Sequence, residues 1–163
     1  MRYTGYIYRN APRSAPGPRD LTVRELQTMI MPRLVGMPIH VEHKGGIGSE
    51  QCGALTPGEP AGRIVAASVS EQTGDALIEY ELAENAYGWA VNQMTRDGRL
   101  KELSLQHVVK PDGTKEPREV SVCIQGARPG TVICGPQPPA AQYITPPAHS
   151  PAAPIVVSAS ASA

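Results

Sequence analysis

Three residues of this chain form a set suited to acyl transfer: Ser104 in an apolar segment, His43 before a glycine pair, and Glu119. A serine hydroxyl is a weak nucleophile near neutral pH. It therefore needs a base within hydrogen-bond reach, and usually a third group that orients this base. With Ser104 as nucleophile, His43 as general base and Glu119 as orienting carboxylate, the set predicts nucleophilic catalysis through a covalent acyl intermediate.

The loop at residues 126–130 contains the candidates for stabilising the negative charge that develops in such a reaction. A tetrahedral intermediate needs hydrogen-bond donors aimed at its oxyanion. Arg128 carries a positive charge in a loop bounded by glycine and proline, and the backbone at Ala127 and Arg128 adds N–H groups. We therefore expect Ala127 and Arg128 to form the oxyanion site.

His107 is an alternative general base. It lies three residues after Ser104, so in a regular strand the two side chains point to opposite faces. Only a β-bulge between them would bring His107 to the nucleophile.

A zinc site at His40, His43 and Cys52 is an alternative of a different class. Histidines three residues apart on a strand face opposite ways, and no fourth ligand is evident in the sequence. We therefore expect neither a metal ion nor another cofactor.

Strands must position most of these residues. The segment at residues 103–109 is leucine-rich and β-branched and lies between turn residues, as is typical of a buried strand. A period of two puts His43 on the same strand face as Ile39 and Val41. Further strands are predicted at residues 3–8, 62–69, 76–82, 118–124 and 132–134, with 62–69 and 76–82 forming a hairpin and Glu119 at the start of its strand.

Two short helices accompany the strands. Thr22 and Glu25 have the spacing of a capping box, which predicts a helix over residues 22–30 that ends before Pro32. A second helix is predicted over residues 86–94, with Asn85 as its N-cap. These helices do not alternate with the strands.

The element order predicts an α+β, mainly β fold: a closed or sandwiched antiparallel β-barrel with a few short surface helices. The folded domain is expected to span residues 1–135. Residues 136–163 are rich in Pro, Ala and Ser and cannot bury enough apolar surface to offset chain entropy. We expect them to form a disordered tail or linker.

The amino-acid composition limits the kinds of function that this protein can have. The 163 residues carry a formal net charge of zero, with a pI near 6.9, so the basic excess typical of nucleic-acid binding is absent. No apolar run approaches the roughly 20 residues of a membrane span, and the N-terminus lacks an apolar signal segment. The three cysteines have no paired spacing, which predicts reduced thiols in a soluble, intracellular protein.

Several short segments resemble the herpesvirus assemblins in order and spacing. The run Pro38-Ile39-His40-Val41-Glu42-His43, followed by Ala61-Gly62-Arg63-Ile64-Val65-Ala66, resembles the region around their first catalytic histidine. Leu103-Ser104-Leu105 resembles their nucleophile segment, and residues 119–131 resemble the segment with their third triad member and arginine loop. The prohead proteases of tailed phages, which resemble assemblins in fold, have similar patterns. The resemblance covers residues 35–131.

The resemblance implies an assemblin-like fold and a serine endopeptidase of capsid maturation, which cleaves scaffold or core protein and itself. It implies a location in the precursor capsid, in the host nucleus or cytoplasm. The chain departs from assemblins at Glu119, where they have a second histidine, so the set becomes Ser-His-Glu, closer to the phage pattern. The two-arginine loop of the assemblins is reduced to Ala127-Arg128 in this chain.

Assemblins resemble one another in using a helical dimer interface, so Tyr87 and Trp89 are either packing residues or a homodimer contact.

The tail is either a substrate or a plain linker. Assemblin-like enzymes cut Ala–Ser bonds to release themselves from a scaffold fusion, and Ala159-Ser160 and Ala161-Ser162 are such bonds.

The alternative to an enzyme is a non-enzymatic scaffold or interaction module of a capsid assembly on the same β fold. The two hypotheses differ in whether Ser104 and His43 can meet.

Overall fold

The computed structural model describes residues 1–10, 20–43, 59–136 and 155–158, which form eight strands and two helical regions. The first helical region consists of α1 (Val23–Glu25), a π-helical segment (Leu26–Ile30) and α2 (Met31–Leu34), and the second is α3 (Ala86–Arg96). The strands are β1 (Arg2–Tyr8), β2 (Pro38–Val41), β3 (Gly62–Val69), β4 (Ala76–Leu82), β5 (Glu102–Val109), β6 (Lys115–Cys123), β7 (Ile133–Pro136) and β8 (Ile155–Ser158).

One sheet contains all of these strands, in the spatial order β5-β6-β2-β3-β4-β1-β7, with β8 paired to β3. The predicted hairpin is present with its predicted bounds as β3 and β4. The expectation of an antiparallel sheet is wrong at one pair, because β2 and β6 run parallel. Parallel neighbours need a long connection, and here the segment between them contains β3, β4, α3 and β5.

The sheet curls until its two ends meet at an isolated bridge between Glu102 and Val132. The Leu103 N–H donates to the Thr131 carbonyl at 2.8 Å, and the Ile133 N–H donates to the Lys101 carbonyl at 3.0 Å. The mainly β architecture with short helices is as predicted. Its ends touch at this short contact rather than along a full ladder.

The core lies inside the curl and is built without phenylalanine. β4 shows the period of two most clearly, since every second residue is buried: Ala76, Ile78, Tyr80 and Leu82. The first helical region packs against β3 and β6. It contributes fully buried side chains, each worth about 1.5–3 kcal/mol of transfer free energy: Leu26, Ile30, Met31 and Leu34.

The first helical region begins with the predicted capping box but does not end before Pro32. The Thr22 N–H donates to the Glu25 carboxylate at 2.9 Å, and the Glu25 N–H donates to the Thr22 hydroxyl at 3.0 Å. In the π segment the Met31 N–H bonds the carbonyl of Leu26, five residues back. The hydrogen-bond register therefore restarts at Met31, and Pro32 lies in the first turn of α2, where a missing N–H costs little.

Glu25 also joins this helical region to β6. Its carboxylate lies 2.8 Å from the Lys115 ammonium. Burial raises the pKa of Glu25, but hydrogen bonds from Lys115 and Thr22 outweigh it and hold the pKa below its ordinary value of 4.5. The contribution of this group to stability is therefore present above pH 4.5 and is lost as the pH falls through the lowered pKa of the folded state.

We expect Glu25→Gln to lower the free energy of unfolding by about 1 kcal/mol at neutral pH, because it removes the ion pair and weakens the cap. The difference from wild type should shrink as the pH is lowered well below 4.5, where the glutamate of the folded protein becomes neutral too. Urea unfolding at several pH values measures both effects. The exposed Glu84 provides the control Glu84→Gln, and an equal loss in the two variants would contradict the prediction.

β8 lies in the segment where the sequence predicts disorder. It pairs antiparallel with the second half of β3, from Ala66 opposite Ser158 to Val69 opposite Ile155. β2 pairs with β3 at Gly62 and Arg63, so β8 covers the part of the β3 edge that β2 leaves open. The rest of the predicted tail lies outside the described residues.

The cysteines of the described segments are free thiols. Cys123 is buried, and desolvation followed by the nearby Glu42 carboxylate raises its pKa to about 12. A thiol with this pKa is almost entirely protonated at neutral pH and is a poor nucleophile. Cys52 lies outside the described residues.

Within the described segments, none of the helices combines the length and apolar character needed to cross a membrane.

Candidate active site

Ser104 lies on β5, directly opposite Ser121 of β6. The preceding residue, Leu103, is fully buried in the core, and alternation along the strand turns Ser104 to the other face of the sheet. Ser104 is only 4 % exposed, yet it lines a surface cavity of about 640 Å³. Its hydroxyl is thus shielded by the protein while it remains open to a ligand in this cavity.

His43 reaches this face from a turn and not from a strand. β2 ends at Val41, and the next two residues, Glu42 and His43, have left-handed backbones with φ angles of 50° and 52°. The prediction that His43 shares a strand face with Ile39 and Val41 is therefore wrong. Left-handed backbone costs a non-glycine residue about 1–2 kcal/mol, so other contacts must hold this turn.

Hydrogen bonds to β6 and to the residue after it hold the turn. The Glu42 N–H donates to the Val122 carbonyl at 3.1 Å, and the Glu42 carboxylate accepts from the Ile124 N–H at 2.6 Å. The His43 N–H donates to the Ser121 hydroxyl at 3.0 Å. The backbone of His43 is thus attached to the strand that pairs with β5.

The imidazole of His43 contacts the candidate nucleophile. Its Nε2 atom lies 2.8 Å from Ser104 Oγ, which is a short, well-formed hydrogen-bond distance. Nε2 can accept the hydroxyl proton when the ring carries its proton on Nδ1. The structure therefore brings together the two residues on which the enzymatic hypothesis depends.

Glu119 lies behind this pair, inside β6 rather than at the start of a strand. It is 7 % exposed, so it is not the solvated residue that its sequence position would usually suggest. Its Oε1 atom lies 3.5 Å from His43 Nδ1, within ion-pair range but too long for a hydrogen bond. Catalytic hydrogen bonds are often loose before a ligand binds and tighten in the complex.

Ser121 is the residue of this site that the sequence analysis did not identify. Its hydroxyl donates to Glu119 Oε1 at 2.7 Å while accepting from the His43 N–H. A period-two signal was available, because Glu119 and Ser121 are two residues apart on one strand and so share a face. Only the structure shows that Ser121 lies opposite Ser104, and this pairing places the shared face of Glu119 and Ser121 next to the nucleophile.

The side chain of Arg128 has other partners than the expected oxyanion. Its Nη1 atom donates to Asp20 at 2.9 Å, its Nη2 atom donates to the Tyr8 hydroxyl at 3.0 Å, and its Nε atom donates to the Arg9 carbonyl. The guanidinium also stacks over the Tyr8 ring, 4.0 Å from its centroid. These contacts anchor the loop, and Ala127 and Arg128 both line the cavity beside Ser104.

We expect Arg128→Ala to lower the free energy of unfolding by about 3 kcal/mol, because it leaves the largely buried Asp20 carboxylate without this counter-charge. Chemical denaturation measures the loss. Arg118→Ala is the matched control, since Arg118 lines the same cavity but is exposed and forms no ion pair within the described segments. Equal stability of the two variants would show that the Arg128 contacts do not anchor the loop.

His107 also lines the cavity. The register between β5 and β6 shifts between Gln106 and His107, so the strand irregularity that the alternative required is present. The hydrogen-bond position at the Ser104 hydroxyl, however, is taken by His43. His43 is thus the base that the geometry favours.

Tyr87 and Trp89 of α3 differ in their surroundings. Tyr87 packs into the core at 6 % exposure, whereas Trp89 is 58 % exposed. Tyr87 is therefore a packing residue, and Trp89 leaves a large aromatic surface open.

Metal binding has no candidate among residues 1–10, 20–43, 59–136 and 155–158, where no three His, Cys, Asp or Glu side chains cluster as ligands would. The zinc alternative at His40, His43 and Cys52, which the sequence disfavours, involves a cysteine outside these residues. Within them, His43 contacts Ser104 and Glu119 instead.

The cavity runs along β5, whose outer edge is largely open. Within the described segments β5 pairs with β6 on one side. On the other side, its backbone pairing is confined to its first residues, with the bridge between Glu102 and Val132 and the hydrogen bond from the Leu103 N–H to the Thr131 carbonyl. Its backbone groups beyond Ser104 can therefore pair with an added strand. The large aliphatic side chains of the lining are Ile7, Leu21, Leu103, Leu105 and Val108.

Comparison with known proteins identifies the fold only. No protein-family model matches the chain, and no curated protein matches it significantly. Among solved structures, KSHV protease in complex with a hexapeptide phosphonate inhibitor is similar, with a TM-score of 0.56 and 16 % sequence identity over 81 % of this chain. The match covers 63 % of that protease, so the chain corresponds to less than two thirds of its length. The similarity shows a distant structural relationship to a herpesvirus protease.

Proposed function

We propose that this chain is a serine endopeptidase that cleaves scaffold or core protein, and itself, during viral capsid maturation. The observation that carries the proposal is the 2.8 Å contact between Ser104 Oγ and His43 Nε2, with Glu119 3.5 Å behind the imidazole. The related fold of a viral protease adds support. The competing hypothesis of a non-enzymatic module does not require this contact, so the geometry favours the enzyme.

The proposed reaction follows from these positions. Ser104 Oγ attacks the carbonyl carbon of the scissile bond while His43 Nε2 takes the hydroxyl proton. Glu119 stabilises the imidazolium that forms. The oxyanion is stabilised by backbone N–H groups near Ala127 and Arg128, since the Arg128 guanidinium is engaged elsewhere.

The tetrahedral intermediate then collapses: the scissile C–N bond breaks, His43 gives its proton to the leaving amine, and Ser104 is left acylated. In the second half of the reaction, water attacks the acyl carbon while His43 takes one of its protons. The ester bond to Ser104 breaks, His43 returns the proton to Ser104 Oγ, and the carboxylic acid product leaves. The serine and the histidine on which these steps depend are already in hydrogen-bond contact.

Peptide substrates fit the shape of the site. An extended segment can pair with the open edge of β5 and place its scissile carbonyl at Ser104 while its side chains enter the apolar part of the cavity. The similar KSHV protease was crystallised with a peptide-like ligand, a hexapeptide phosphonate inhibitor. In a capsid assembly, the exposed Trp89 is a candidate contact to a second copy of the chain or to the scaffold.

Intact-mass spectrometry after prolonged incubation tests the proposal. We expect the wild-type chain to lose residues 160–163 or 162–163, by cleavage of Ala159–Ser160 or Ala161–Ser162, and we expect Ser104→Ala and His43→Ala to remain intact. A kosmotropic salt should accelerate the loss by favouring association, and scaffold peptides are added to parallel samples as alternative substrates. Identical masses for all three proteins under every condition would favour the interaction-module hypothesis.

A further inference from the structure

We propose that Ser121 is a positioning residue, which holds the general base and its carboxylate partner through a single hydroxyl group. The inference rests on the proposed function and extends it by one residue. Ser121 is fully buried and lies opposite the nucleophile Ser104 across the β5–β6 ladder.

The hydrogen-bond roles at Ser121 follow from the chemistry of its partners. An ionised carboxylate only accepts and a backbone N–H only donates. The Ser121 hydroxyl must therefore donate to Glu119, at 2.7 Å, and accept from the His43 N–H, at 3.0 Å. The Ser121 Oγ atom is thus hydrogen-bonded both to the backbone of His43 and to the carboxylate of Glu119.

The bond to His43 redirects the chain. The N–H of Glu42 is still bound by the β6 backbone, at the Val122 carbonyl. At His43 the acceptor changes to a side chain, and here the backbone is left-handed. The Ser121 hydroxyl therefore compensates for part of the conformational cost of the turn that carries the imidazole to Ser104.

The bond to Glu119 orients the carboxylate. Oε1, the oxygen bound by Ser121, is the same atom that lies 3.5 Å from His43 Nδ1. Without the hydroxyl, this carboxylate gains freedom to rotate and loses one of its donors. Its alignment with the imidazolium that forms during the reaction should then become less favourable.

We expect Ser121→Ala to slow phosphonylation of Ser104 by a fluorophosphonate probe by about 10- to 100-fold, the usual cost of a small misplacement of a catalytic group. The pH of half-maximal labelling should move downward, because a less well aligned carboxylate stabilises the protonated imidazole less. Ser121→Thr keeps the hydroxyl and should restore most of the rate. Ser68→Ala on β3 is the matched control and should label as wild type does.

Hydrogen exchange supplies a readout that needs no activity. The amide of His43 should exchange faster in Ser121→Ala, whereas the amide of Glu42, bound to a backbone carbonyl, should not change.

If the wild type resists the probe, the proposed function fails, and the exchange result alone decides the role of the hydroxyl. If the labelling rate, its pH dependence and the His43 exchange all equal those of wild type, the positioning role is overturned. If Ser121→Ala does not fold, Ser121→Cys, whose slightly larger thiol weakens both bonds, replaces it.

Discussion

Replacing Ser104 with alanine should lower the rate of peptide hydrolysis by about 10⁵- to 10⁶-fold, because no other group is in place to form the acyl intermediate. The residual rate reflects binding and oxyanion stabilisation alone. A peptide with the sequence of residues 153–163 provides the substrate, with product formation followed by mass spectrometry. The fold should survive, since the side chain loses only one oxygen atom next to a cavity.

The histidines provide the discriminating comparison for this first prediction. His43→Ala should fall to nearly the same level as Ser104→Ala, and the double variant should be no slower than either, because the two residues act as one unit. His107→Ala should remain close to wild type if His43 is the base. A severe loss in His107→Ala with activity retained in His43→Ala would transfer the role of general base to His107 and reject the present assignment.

Much of the fold could be predicted because residues close together in the sequence determine these elements. The β3–β4 hairpin shows alternating burial that matches its alternating sequence. The capping box at Thr22 and Glu25 and the cap of α3 at Asn85 are likewise decided by side chains within one helical turn. Short-range patterns of this kind persist in the folded protein because they agree with the tertiary contacts.

The parts that could not be predicted depend on distant contacts. Pro32 reads as a helix end, but the buried side chains on both sides of it keep the helical region continuous through a π turn. The parallel pairing of β2 and β6 leaves no trace in either strand's periodicity. The left-handed turn at Glu42 and His43 is stabilised by residues of β6 and by Ile124, about eighty positions away in the chain.

The candidate site illustrates the same division. Ser104 and His43 were identified from residue type and from motifs that resemble a known family, and the structure brings them into contact. Ser121 carries no chemistry of its own, and its period-two spacing from Glu119 has no functional meaning until the strand pairing is known. Its importance arises only from the ladder register, which sets it opposite Ser104 and beside the turn of β2.

The next-largest effect is expected for Glu119→Gln, a loss of about 10³- to 10⁴-fold in kcat/KM. The amide is neutral and cannot stabilise the imidazolium, and its NH₂ group would compete with the Ser121 hydroxyl and His43 Nδ1–H for the same space. Since each factor of ten corresponds to about 1.4 kcal/mol, this loss assigns about 4–5.5 kcal/mol of transition-state stabilisation to the carboxylate. Glu119→Asp keeps the charge but withdraws it from Nδ1, and it should retain intermediate activity.

The control for this prediction lies on the same strand. Glu116 is also a β6 glutamate, but its partners are Lys110 and Arg33, away from the site, so Glu116→Gln should leave the hydrolysis rate unchanged. If Glu119→Gln stays within about tenfold of wild type, Ser104 and His43 work as a dyad, and the 3.5 Å gap behind the imidazole is a real separation rather than a contact that tightens with substrate. If the large loss is found, the buried Glu119 carboxylate is the third member of the catalytic set. The hydrogen bond from Ser121 then helps to position this carboxylate for catalysis.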